Sequence, residues 1–263
     1  GESYAGIYIP RLARRILVEN QNASKTGYSV INIKGILVGN GVAIQDSLDF
    51  TEVQFLNIHQ IVPDELYNRF YTACSANFSS AECNSTQDEI SALTENINPY
   101  DIYRYCYNDY TTDGACVTSI GYENFLRTRQ VQQALHVAQY NITWDVCNDY
   151  INEVYDPIQP GSLPDYLYLK DKIKILVYSG DVDAAVPFND TWDWLYKNFD
   201  IISESQPWGV VDGQIAGYVT IFNGIVFTTI RGGGHMVPAW KRLEAYTFFV
   251  KFINNQAPFI WKL

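Results

Sequence analysis

Gly1-Glu2-Ser3-Tyr4-Ala5-Gly6 opens the chain. Small residues flank a serine in the manner of a nucleophile elbow, a sharp strand-to-helix turn that presents the serine Oγ. Ala5 stands where the short motif has its second glycine. Beyond it, Ile9, Leu12, Ala13, Ile16 and Leu17 recur at helical spacing, with Arg11, Arg14, Arg15 and Glu19 on the other side. A helix is therefore expected to begin within a few residues of Ser3.

Three apolar runs further along end in turns. Ile31 to Val38 is closed by Gly39-Asn40-Gly41, Ile173 to Tyr178 by Ser179-Gly180-Asp181, and Ile225 to Ile230 by Gly232-Gly233-Gly234. Near-continuous apolar runs of this length read as strands buried on both faces. Helical patterns recur at Val131, Ala134 and Leu135, and again at Leu243, Tyr246, Phe249, Val250 and Ile253. Strands and helices that alternate in this way mark an α/β architecture.

A serine hydroxyl attacks a carbonyl only if a base takes its proton, and imidazole is the side chain best matched to that task. Three histidines are available. His59 and His136 lie in helix-like patterns and read as structural. His235 follows a strand through three glycines and is the candidate base. An imidazole needs a carboxylate to fix its tautomer. Asp181 and Asp183 both follow a strand; Asp183 has the Gly-x-x-Asp spacing of an acid loop, and Asp181 reads as a neighbouring hydrogen-bonding carboxylate. The order Ser3, Asp183, His235, each at a strand end, is that of the α/β-hydrolases.

The stretch between the first two strands far exceeds one crossover connection, so an insertion is expected there. Residues 66 to 118 hold four cysteines, two sequons and Tyr100, Tyr103, Tyr105, Tyr107 and Tyr110. They read as a disulfide-stapled cap over a site, the alternative being an exposed excursion. The expected partition is a first part of the core at 1–45, an inserted cap region with return to the core at 46–165, and the last part of the core at 166–263.

The net charge of -11 argues against nucleic acid as a partner, because phosphate binding needs clustered Lys and Arg. No apolar run approaches the ~20 residues that cross a bilayer. Sequons at Asn22, Asn77, Asn84, Asn141 and Asn189, together with five cysteines outside any metal-ligand spacing, favour the secretory pathway. Phosphate-loop, calcium-loop and zinc spacings are missing from the sequence, so neither a metal nor a cofactor is expected.

Gly1 to Pro10, Gly39-Asn40-Gly41, Val131 to Val137, Gly180-Asp181-Val182-Asp183 and Gly232-Gly233-Gly234-His235-Met236-Val237-Pro238 together resemble the serine carboxypeptidase family. The resemblance implies an α/β-hydrolase fold, truncated at the N-terminus, with an inserted disulfide-stapled cap. It also implies that a peptide or protein C-terminus is the substrate, at acidic pH, in a vacuole, lysosome or outside the cell.

By the same resemblance Glu2, itself protonated, binds the substrate's free carboxylate; two carboxyl groups tolerate each other only around a shared proton. Tyr4 gives a backbone N–H to the oxyanion hole, and Met236 lines the pocket for the leaving amino acid. Cys74 pairs with Cys83, Cys106 with Cys116, and Cys147 is left for an upstream partner; spacing alone leaves other pairings open.

The family's Asn-Gly-Gly-Pro-Gly segment, which supplies the second oxyanion donor, does not occur here. An N-terminal part of the same protein is thus an expected partner, and a second copy of the chain is retained as another. Acyl transfer to an alcohol, as in plant relatives, and a non-catalytic binding role are the alternative functions.

Overall fold

The computed structural model describes residues 1–44, 48–106, 116, 120–140, 143–156, 161–211 and 213–260. The chain runs from α1 (Ala5–Thr26) into β1 (Gly35–Gly39). It continues through α2 (Leu48–Ile58), α3 (Asp64–Ala76), α4 (Ala81–Thr94), α5 (Ile120–Arg127), α6 (Arg129–Ala134), α7 (Asp149–Val154) and α8 (Leu163–Leu169). It then returns to the sheet in β2 (Lys174–Gly180). α9 (Phe188–Asn198), β3 (Ile201–Val211), β4 (Gln214–Phe222), β5 (Ile225–Ile230), α10 (Val237–Trp240) and α11 (Arg242–Ile253) complete it.

Among the described residues the strands form one sheet in the order β1-β2-β5-β4-β3. β1, β2 and β5 are parallel, whereas β4 and β3 run antiparallel. Alternation along β2 sends Ile175 and Val177 to one face and Leu176 and Tyr178 to the other. The first face packs against Trp194, Leu195, Tyr166 and Leu169 from α9 and α8, with Ala13 of α1. The second packs against Ala245, Phe248 and Phe252 of α11, with Trp208 and Phe259. Each face is thus covered by helices, which is why residues 175–178 of β2 are apolar in succession.

The expected strand at Ile31 to Val38 begins later than its sequence suggests. Gly35 is the first residue to pair, opposite Lys174, and Ile31 is exposed in a turn closed by Ile33 N–H to Ile31 C=O. The helix at Leu243 to Ile253 forms, but Leu243, Tyr246, Phe249 and Ile253 are exposed, and it buries the opposite stripe. Both stripes are apolar, and the aromatic cluster around Trp208 and Phe259 takes the one with the smaller Ala245.

Helices α2 to α4 have their own core, in which Phe55, Leu66, Phe70 and Ile90 surround the Cys74–Cys83 disulfide. Ala184, from the loop after β2, belongs to the same cluster. Asn141, Tyr107 and Tyr110 lie outside the described residues.

Candidate active site

Parallel strands share one carboxyl edge, and their register sets what meets there. Gly39 pairs with Tyr178, Tyr178 with Thr228, and Glu2 forms a parallel bridge to Gly39. Glu2, Gly39, Tyr178 and Thr228 therefore make one row across the sheet. The chain beyond each of them leaves on the same side: Ser3 after Glu2, Asn40 after Gly39, Asp183 after β2 and His235 after β5.

Ser3 has φ 61°, a left-handed conformation that costs a non-glycine residue energy and is held by its surroundings. Its N–H donates to Gly39 C=O at 3.1 Å, and its C=O accepts from Val42 N–H at 3.1 Å. Gly6 allows the close approach behind it, since a Cβ there would strike the Val42 backbone. α1 begins at Ala5, two residues after Ser3, so the positive end of its macrodipole lies beside the serine.

His235 Nδ1 lies 2.7 Å from Asp183 Oδ2, and both side chains are buried. The same Oδ2 accepts from Asn40 Nδ2 at 2.8 Å, while Oδ1 accepts from Ala185 N–H at 2.9 Å. Burial raises the Asp183 pKa, and the His235 contact with these backbone donors opposes the rise. With donors already on both oxygens the carboxylate acts as acceptor, so the imidazole proton resides on Nδ1 and Nε2 is free to take a proton.

Ser3 and His235 share no hydrogen bond in this structure.

Glu2 is half-buried beside this pair. Its pKa is raised, first by desolvation and further by Asp183, against the lowering influence of His235. Tyr4 packs edge-on against Tyr155 at 5.8 Å between ring centres, and Tyr155 Oη donates to Tyr4 Oη at 2.9 Å. Met236 is half-buried and caps α10 directly after His235. Asp181 accepts from Gly232 N–H at 2.6 Å and so ties the two loops together.

His59 bonds to Phe55 C=O within its own helical turn, and His136 is exposed at the end of α6. Cys74–Cys83 and Cys106–Cys116 are bonded, and Cys147 is an exposed free thiol. Asn22, Asn77 and Asn84 are exposed. Asn189 is half-buried, and its Nδ2, the atom a glycan would occupy, donates to Thr51 C=O and Gln54 Oε1. Among the described residues no cluster of three or more His, Cys, Asp or Glu is placed to hold a metal ion, and no helix is long and apolar enough to cross a membrane.

Asn40 is a site residue that sequence reasoning treated only as part of a turn. It is fully buried, and it links β1 to the acid loop through Asp183 and through Gly180 N–H, which donates to its Oδ1 at 3.0 Å. An asparagine between two glycines at the end of a buried strand was the available signal.

The family model described as serine carboxypeptidase matches residues 1–255. The chain belongs to the serine carboxypeptidase family. It is 31% identical to the lysosomal protective protein of Mus musculus over 97% of this chain and 64% of that one. To serine carboxypeptidase-like 38 of Arabidopsis thaliana it is 30% identical, over 97% of this chain and 55% of the relative.

A solved structure of Kex1(delta)p, a prohormone-processing carboxypeptidase from Saccharomyces cerevisiae, superposes with a TM-score of 0.73 at 22% identity, covering 97% of this chain and 61% of that one. The fold is therefore that of the α/β-hydrolases, and this serine carboxypeptidase chain spans less than two thirds of the length of these relatives.

Proposed function

We propose that the full-length protein is a serine-type carboxypeptidase in which Ser3, His235 and Asp183 remove C-terminal residues from peptides. The observation that carries this reading is the buried His235–Asp183 pair, locked by Asn40 and Ala185, on the strand edge where the strained Ser3 stands. Ser3 Oγ attacks the scissile carbonyl and passes its proton to His235 Nε2, and the backbone N–H of Tyr4 stabilises the resulting oxyanion. His235 then protonates the leaving amine, the free amino acid departs, and a water activated by the same imidazole hydrolyses the acyl-enzyme.

Glu2 accounts for the preference for a free C-terminus. Its raised pKa keeps it protonated further up the pH scale than an ordinary glutamate, so it can share a proton with the substrate carboxylate in weak acid. Met236 borders the leaving-residue pocket. Matched cysteines, exposed sequons and a relative named as lysosomal support a secretory route ending in a lysosome or vacuole, or outside the cell.

The rest of the site is assigned to an N-terminal part of the same protein, docked along β1. Two apolar grooves flank that strand: one of about 360 Å³ lined by Leu37, Tyr178, Pro238 and Phe249, and one of about 340 Å³ lined by Leu12, Ile16, Ile33 and Ile36. They lie on opposite faces of the sheet, where further strands and helices would extend both layers.

A blocked dipeptide and its C-terminal amide, compared on the full-length protein near about pH 5, test the proposal. The free acid is expected to be preferred by about 10²-fold or more in kcat/KM. Equal rates on the two would contradict a carboxypeptidase, and acyl transfer to an added alcohol in place of hydrolysis would favour a transferase.

A further inference from the structure

His235 ends a loop of three glycines, a backbone with no side chains of its own to fix it, yet a general base must be held to within roughly 0.5 Å. What holds it comes from the long excursion between β1 and β2. His235 N–H donates to Tyr100 C=O at 2.7 Å, and a Cβ on Gly234 would strike the same carbonyl. The acid loop is attached to the same few residues. Ala184 N–H and Ala185 N–H both donate to Pro99 C=O, at 2.8 and 2.9 Å, and Ile102 N–H donates to Val182 C=O at 3.1 Å.

Backbone bonds of this kind exist only if the segment that supplies them keeps its shape. Asn98 is buried and braces it from inside: its Oδ1 accepts from Tyr100 N–H at 3.0 Å, and its Nδ2 donates to Tyr105 C=O at 3.3 Å. The first of these is an Asx turn, which aims the Pro99 and Tyr100 carbonyls outward. Asp101 is buried as well, accepting from Tyr103 N–H and from Arg104 Nε, both at 3.1 Å. The Arg104 guanidinium lies 4.3 Å over the ring of Trp240, the last residue of the short helix that starts just after His235. The brace therefore closes on the base loop from two sides.

We propose that Asn98 is a positioning residue for the reaction, and that the segment Asn98–Ile102, with Arg104 as its outer brace, clamps the acid and base loops in register. The inference rests on the reading of Ser3, Asp183 and His235 as the triad. It gives the excursion a role within the machinery in addition to any role as a cover. Asn98 touches neither substrate nor reacting atoms; its effect passes through the Pro99 and Tyr100 carbonyls to Asp183 and His235. Misplacement of a base by about 1 Å from a distant change can cost about 10²-fold in rate.

The test uses the full-length protein with Asn98→Ala and Arg104→Ala, each with kcat measured per active site titrated by a serine-directed phosphonate. Asn98→Ala is expected to lower kcat per titrated site by about 10- to 50-fold with KM within about threefold. Arg104→Ala removes a half-exposed side chain paired with Asp101 and stacked on Trp240, and it is expected to lower kcat by about threefold with KM unchanged.

A purely structural role would reduce the number of titratable sites or the melting temperature and leave kcat per site intact. That outcome, or both variants within about twofold of wild type, would overturn the clamp. Failure of the wild-type protein to react with the phosphonate would instead reject the triad reading beneath it.

Discussion

Asp183→Asn in the full-length protein is expected to lower kcat by about 10⁴-fold while KM stays within about threefold. The carboxylate accepts on both oxygens, from His235 and Asn40 on Oδ2 and from Ala185 N–H on Oδ1. An amide in its place carries two protons on one side. Whichever way it turns, its NH₂ must face either the imidazole or donors that have nothing to accept with. Facing the imidazole, it makes Nδ1 an acceptor and moves the ring proton to Nε2, where it blocks the transfer from Ser3. Steady-state kinetics with a peptide substrate measure the loss. A decrease of less than about tenfold would show that this pair does not orient the base.

The second large effect is on stability. Glu52, on α2, has its pKa pushed from 4.5 up to about 7, first by burial and then by the like charges of Asp49 and Asp183. Below the ordinary value the group is protonated in folded and unfolded chains alike, and burying it carries no ionisation cost. As pH rises past 4.5 the unfolded chain ionises freely while the folded one keeps the proton, and stability falls until the folded group ionises near 7. The loss over that window is about 3 kcal/mol. Asp49, Asp183 and Glu2 are raised as well and act in the same direction.

Urea unfolding at about pH 5 and pH 8 is therefore expected to show a more stable protein in acid, and Glu52→Gln to shrink the difference by about 2.5 kcal/mol. An unchanged difference in the variant would contradict the assignment. The direction suits a protein that works in an acidic compartment.

The candidate triad was legible because buried parallel strands are near-continuous apolar runs, and parallel strands bring their carboxyl ends to one edge. Ile173 to Tyr178 and Ile225 to Ile230 read as such strands, and their pairing in the sheet makes the loops carrying Asp183 and His235 neighbours.

The β3–β4 hairpin carries no clear strand pattern in its sequence. Ile201–Val211 mixes Ser203, Glu204, Ser205 and Gln206 with Pro207 and Gly209, and its pairing slips register twice, as suits an edge strand with a solvated face. Asn223-Gly224 between Phe222 and Ile225, with Gly224 at φ 87°, has the composition of a two-residue hairpin turn joining β4 and β5.

The roles of Asn40 and Asn98 were beyond reach for another reason. Each acts through partners that only the folded chain supplies: Asn40 across 143 residues to Asp183, and Asn98 through a carbonyl that meets His235 far along the chain. The stripe of Leu243, Tyr246 and Phe249 marks the helix without marking its buried face, since an apolar spacing shows that a helix can bury a face without showing which face finds a partner.

The most direct measurement treats the full-length protein with a serine-directed phosphonate and maps the adduct by mass spectrometry. The expected result is a single adduct on Ser3, formed at least about 10³-fold more slowly in His235→Ala. An adduct on any other serine, or labelling of Ser3 that is indifferent to the loss of His235, would contradict the convergence of hydroxyl, imidazole and carboxylate on which the proposed activity depends.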